Sequence, residues 1–108
     1  MTLNTKRQLE IQLFRVCDKY FMRTREVAGV LGVKQPFEFT ANIKRVMGDN
    51  VILSGDKTEV FRNEIDDDGR TTFISTRDLY RFLCIGEINH KMIPSKVIEL
   101  KHELIAYL

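Results

Sequence analysis

The sequence predicts a small single α+β domain: two β-hairpins around a helical core of four helices, two of them a helix-turn-helix-like pair. Three observations predict it. The stretch Thr24 to Met47 carries apolar residues at helical spacing, interrupted by Gly32 and Pro36. Two stretches, around residues 10–23 and 58–75, alternate apolar and polar residues and are rich in β-branched and aromatic side chains. The 108 residues, 44% hydrophobic and 30% charged, suffice for one folded core and exclude a disordered tail.

Residues 1–8 read as a frayed lead-in to one domain spanning 1–108. Between Leu9 and Cys17 the pattern fits a helix (Leu9, Leu13, Val16) or a strand (Leu9, Ile11, Leu13). Asp18-Lys19 before Tyr20-Phe21-Met22 looks like a tight turn, which favours a hairpin of 10–17 with 20–23. Thr24 is then placed to cap a first helix, with Glu26 near its positive end. Val27, Ala28, Val30 and Leu31 supply its apolar face, and small Ala28 permits close approach of a second helix. Gly32 can stop the first helix in a left-handed conformation, and Pro36 can open the second, where its missing N–H costs nothing. Phe39, Ile43, Val46 and Met47 share one face of that second helix; Glu38, Asn42 and Arg45 share another.

Gly48-Asp49-Asn50 stops it, and Val51-Ile52-Leu53 is too short for more than a strand stub. Thr58–Ile65 and Thr71–Ser75 flank the turn Asp66-Asp67-Asp68-Gly69-Arg70 and read as a second hairpin. Ser75 or Thr76 can cap a third helix, with Leu79, Tyr80, Phe82 and Leu83 inward, Arg77 and Arg81 outward, and Gly86 as its end. Pro94-Ser95 begins a last helix whose apolar stripe is Val97, Ile98, Leu100, Leu104, Ile105 and Leu108. The chain stops within that helix, as a domain cut from a longer protein would.

Net charge is only +2, but it is uneven. Residues 1–45 hold nine Lys/Arg against four acids, or +5, and residues 46–108 hold eight against eleven, or −3. The basic part contains the helix pair, which suits a surface facing phosphates. Double-stranded DNA is one partner such a surface could take, and a solvated surface that happens to be basic is the alternative. Lys34, Gln35, Asn42 and Arg45 would enter or border the major groove, since Asn and Gln pair with adenine edges and Arg with guanine. Arg23, Arg25 and Lys44 would hold phosphates. Arg77 and Arg81 form a secondary basic patch. A solvated helix face explains Gln35 and Asn42 equally well, and an ordinary helical hairpin would show the same alanine and glycine spacing.

The order of these features resembles a known family. Tyr20-Phe21 with Arg23, then Glu26-Val27-Ala28 and Leu31-Gly32-Val33-Lys34 with Pro36, then Ile43 and Val46, match the BRO N-terminal domain. That domain occurs in baculovirus repeated-ORF proteins and phage antirepressors and is related to KilA-N and MSV199-type modules. Phe73 to Leu83 (FISTRDLYRFL) is the best-matched segment, and the resemblance covers about residues 9–107. The chain departs from the family at Val33, usually aromatic, at Asp78, usually glycine, and in lacking a tryptophan. The resemblance implies DNA binding in a viral or phage regulatory protein, acting in the host nucleus or host cytoplasm.

Other chemistries fit poorly. Asp66-Asp67-Asp68 lacks the spaced ligands and closing glutamate of a calcium loop. His90 and His102 have no cysteine or carboxylate at zinc-ligand spacing, so no metal is expected. Ser54-Gly55-Asp56-Lys57-Thr58 lacks the spacing of a phosphate loop. No nucleophile and base are paired, so neither an enzyme nor a cofactor is expected. Cys17 and Cys84 lie in apolar patterns and read as buried thiols. No apolar run approaches a membrane span, and the polar start is no signal peptide, which favours an intracellular protein without membrane contact. The competing reading is a protein-interaction module, antirepressor-like or oligomerising, that keeps the scaffold without binding DNA. A homodimer is compatible with either, because paired half-sites enlarge the footprint of one short helix.

Overall fold

Backbone pairing joins stretches that lie far apart in the chain. The structure, a computed structural model, describes residues 2–4, 10–16, 18–54, 71–85 and 91–108. In chain order the elements are β1 (Thr2–Asn4), β2 (Glu10–Gln12), β3 (Phe14–Val16), β4 (Lys19–Arg23), α1 (Thr24–Leu31), α2 (Pro36–Met47), β5 (Ile52–Ser54), β6 (Thr72–Ser75), α3 (Thr76–Leu83) and α4 (Pro94–Leu104). Short 3-10 turns follow α2 and α4. The architecture is α+β, with four helices and an antiparallel four-stranded sheet of order β3-β4-β6-β5 among the described residues.

The first expected hairpin and the strand Thr72–Ser75 are joined into this one sheet. β3 and β4 form the first hairpin, with Phe14 opposite Phe21 and Val16 opposite Lys19. Asp18 adopts φ 66 at the turn, so Lys19 already belongs to the strand. An aspartate tolerates that left-handed conformation better than most residues. β6 is hydrogen-bonded along both edges: Met22 of β4 lies opposite Ile74, and so does Ile52 of β5. The short run at Ile52 is thus a paired strand, the outermost of the described ones, and not a stub. The expected partner strand 58–65 and the turn 66–70 lie outside the described residues. Part of the lead-in is also ordered into structure, since Thr2–Asn4 pairs antiparallel with Glu10–Gln12.

Period-two alternation then divides the sheet. Met22, Ile74 and Ile52 face the helices and join the main core with Val27 and Leu31 of α1, Ile43 of α2, Leu79 of α3 and Leu100 of α4. Phe14, Phe21, Phe73 and Leu53 lie on the opposite face in a second cluster. There the Phe14 and Phe73 rings meet edge to face at 5.6 Å. Phe39 and Phe82 make a similar contact at 6.0 Å that locks α2 to α3.

Helix ends follow the sequence only in part. Ser75 caps α3, its hydroxyl accepting from the Asp78 N–H at 3.0 Å. Thr24 is not the cap of α1; Arg23 occupies that position, and Thr24 is the first helical residue. The Thr24 hydroxyl instead hydrogen-bonds the Thr72 hydroxyl and lies 3.4 Å from the Thr72 carbonyl oxygen. A tertiary partner on β6 has displaced the local capping bond. α3 ends at Leu83, short of Gly86, and Cys84 at its end is exposed and not buried; Cys17 lies outside the described residues. The apolar stripe of α4 is split. Val97, Leu100 and Leu104 are buried, but Ile98, Ile105 and Leu108 are exposed. No described helix is long and apolar enough to cross a membrane.

Candidate nucleic-acid interface

The turn between α1 and α2 is closed by backbone bonds that Gly32 makes possible. Gly32 has φ 82, its N–H reaches the Gly29 carbonyl at 3.2 Å, and the Val33 N–H reaches the Ala28 carbonyl at 2.9 Å. This pattern satisfies the last carbonyls of α1 and reverses the chain. Pro36 then opens α2, and the Gln35 side chain does not cap it. Buried Phe39 and Ile43 seat α2 on the core. The chain entering α4 braces the same turn: the Ile93 N–H donates to the Leu31 carbonyl at 2.9 Å, and Lys91 Nζ lies 2.7 Å from Glu38 Oε2.

With that face of α2 buried, Phe37, Ala41 and Lys44 stand on the exposed side, at i, i+4 and i+7. Beside them runs an open groove of about 490 Å³. One wall is α2, through Phe37, Thr40, Ala41 and Lys44. The other is formed by Thr24 and Arg25 at the start of α1 and by Thr71 and Thr72 at the start of β6. The Thr24–Thr72 hydrogen bond ties the parts of the second wall together. None of the described lining residues is acidic. The two glutamates of the helix pair are engaged elsewhere, Glu26 with Arg23 at 3.1 Å and Glu38 with Lys91. The groove therefore carries two cations, an exposed aromatic ring and neutral hydroxyls. Such a set can attract a polyanion and offer its apolar parts a contact surface.

The residues expected to bind DNA divide into three groups. Arg25 and Lys44 come together across the groove. Lys34 and Gln35 are exposed at the leading end of α2, and Arg45 is exposed further along it. Asn42 and Arg23 do not belong to this surface. Asn42 is buried, three residues after Phe39 and next to Ile43, and its Oδ1 accepts a hydrogen bond from the Arg45 guanidinium. Arg23 is held inward by Gln12 at 3.0 Å and Glu26 at 3.1 Å, with its guanidinium 4.8 Å from the centre of the Phe14 ring. Both serve to position neighbouring residues. Val46, expected inside, is partly exposed and lines a depression with Arg81, Cys84 and Ile85.

Arg77 and Arg81 are exposed on α3 but border separate depressions, neither of them the groove. Arg77 neighbours Tyr20 and Tyr107, and Arg81 lies 3.8 Å from Asp78. Among the described residues no group of three His, Cys, Asp or Glu could hold a metal; Asp66-Asp67-Asp68 and His90 lie outside them. Sequence reasoning missed Phe37, Thr40, Ala41, Thr71 and Thr72. Phe37 carried a signal, being apolar yet out of phase with Phe39 and Ile43. The threonines carried none, because the fold alone brings β6 beside α1. Comparison with family models, with curated proteins and with solved structures finds no match.

Proposed function

We propose that this domain binds duplex DNA, with the exposed side of α2 toward the major groove. The observation that carries this reading is the convergence of Arg25 and Lys44 on a groove with no acidic residue among its described lining, beside a helix whose exposed face includes Lys34, Gln35 and Arg45. Arg25 and Lys44 hold phosphates and set the register of the complex, while Gln35 and Arg45 reach base edges. The resemblance to BRO N-terminal domains of viral and phage regulators supports the same reading. The test is binding of random-sequence duplex DNA across a range of salt, for the wild type and for Arg25→Ala/Lys44→Ala. Each phosphate contact contributes about 0.9 to the slope of log affinity against log salt, so the double variant is expected to flatten that slope by about 1.8. Absence of binding by the wild type at low salt refutes the reading.

A second reading has its own observation. Ile98 of α4 and Ile105 at the start of the 3-10 turn that follows it are 58% and 55% exposed, with Leu108 beyond them at 49%. An unpartnered apolar stripe of this kind suits contact with another protein or a second copy of the chain. It competes with DNA binding only if the salt titration fails; otherwise it supplies the surface for a dimer.

A further inference from the structure

Phe37 is 68% exposed, the highest value among the exposed large apolar residues described. It is no loose end of the chain. It follows Pro36 at the first turn of α2, two residues from the buried Phe39 that anchors the helix. Its ring is thereby presented at the groove, with Lys44 two turns further along the same helix and Arg25 on the opposite wall. Ala41 lies one turn from it and keeps the helix surface low, so that a ligand can come close to the backbone. The Thr40 hydroxyl is already bonded to the Pro36 carbonyl oxygen at 3.2 Å, so it adds no unmet donor there.

An aromatic ring among cations, with no acidic residue among the described residues that line the groove, suits a polyanion that displays apolar groups at a recessed edge. In the major groove of duplex DNA the apolar group at the base edges is the thymine 5-methyl. Gln35 stands two residues before Phe37 at the same end of the helix, and a glutamine amide pairs with the adenine edge. Each of the two side chains favours an A·T pair. On the DNA-binding reading above, on which this rests, we infer that Phe37 is a specificity-determining residue: it packs against a thymine methyl and biases the domain toward A·T pairs beneath the first turn of α2.

The test uses the whole 108-residue chain. Duplexes bound by the wild type are selected from a random pool, and the best is remade with deoxyuridine for thymine, which removes only the 5-methyl groups. Wild-type affinity is expected to fall about fourfold for each contacted methyl removed. Phe37→Ala is expected to bind the thymine and uracil duplexes equally, with the salt slope of the wild type. Circular dichroism checks that this exposed substitution leaves the fold intact, and Phe37→Leu, which keeps an apolar contact, is expected to retain part of the discrimination. Selection without any A·T bias, equal wild-type binding of the two duplexes, or discrimination that survives in Phe37→Ala overturns the inference while leaving DNA binding in place. Failure of the wild type to bind any duplex at low salt overturns both.

Discussion

Replacing Gly32 by alanine tests how the helix pair is held. Gly32 has φ 82, where an L-residue costs about 1–2 kcal/mol through its Cβ. That Cβ would also fall 2.5 Å from Cδ1 and 2.8 Å from Cγ1 of Ile93, so the Ile93 side chain must move. Ile93 is 41% exposed and has room to turn, which limits this second cost to about 1 kcal/mol, that of an off-rotamer side chain. Alanine restricts the unfolded chain as well, which returns about 0.5 kcal/mol. The expected net loss is about 2 kcal/mol, a fall in melting temperature of roughly 10 °C. Urea and thermal denaturation followed by circular dichroism measure it. Repeating the substitution in an Ile93→Ala background removes the steric part, so the cost there should shrink to the backbone part alone. A Gly32→Ala protein within 0.5 kcal/mol of wild type would refute the reasoning; an undiminished cost in the Ile93→Ala background would refute its steric half.

Gly29 provides the opposite case. It is exposed inside α1, and nothing lies within 4 Å of an added Cβ, so Gly29→Ala is expected to stabilise by about 0.5–1 kcal/mol, read as a higher urea midpoint with unchanged slope. Ser75→Ala removes the hydroxyl that accepts from Asp78 and is expected to cost about 1 kcal/mol in the same measurement.

What the sequence made legible was local. The end of α1 at the left-handed Gly32, Pro36 at the start of α2 and a cap of α3 at Ser75 or Thr76 all depend on residues within a few positions of one another, and the structure has Ser75 as that cap. The misreadings concern partners distant in the chain. Thr24 has the chemistry of a cap, but its hydroxyl found Thr72. Ile52-Leu53-Ser54 is too short to announce a strand until β6 lies beside it. Charge was legible as a total and not as a surface. Arg23 and Arg25 look alike in sequence, yet the alternation of β4 turns Arg23 toward Phe14 while the first turn of α1 brings Arg25 to the groove. Asn42 is buried because the inward sector of α2 is broader than its apolar residues indicate, and it includes this one polar residue, bonded to Arg45.

The pairing of β5 with β6 has a further consequence for how this chain can vary. Ser54 lies opposite Thr72, so the end of β5 and the start of β6 are paired neighbours in the sheet. Closing a loop between fixed ends becomes dearer by only about 0.6 kcal/mol for each doubling of its length. Whatever the length of chain between those two residues, its two ends stay fixed by the β5–β6 pairing. The start of β6 is also where Thr71 and Thr72 border the groove. Length changes at this one junction can alter what stands next to a bound ligand while the helix pair stays as it is, and related sequences would be expected to differ most there.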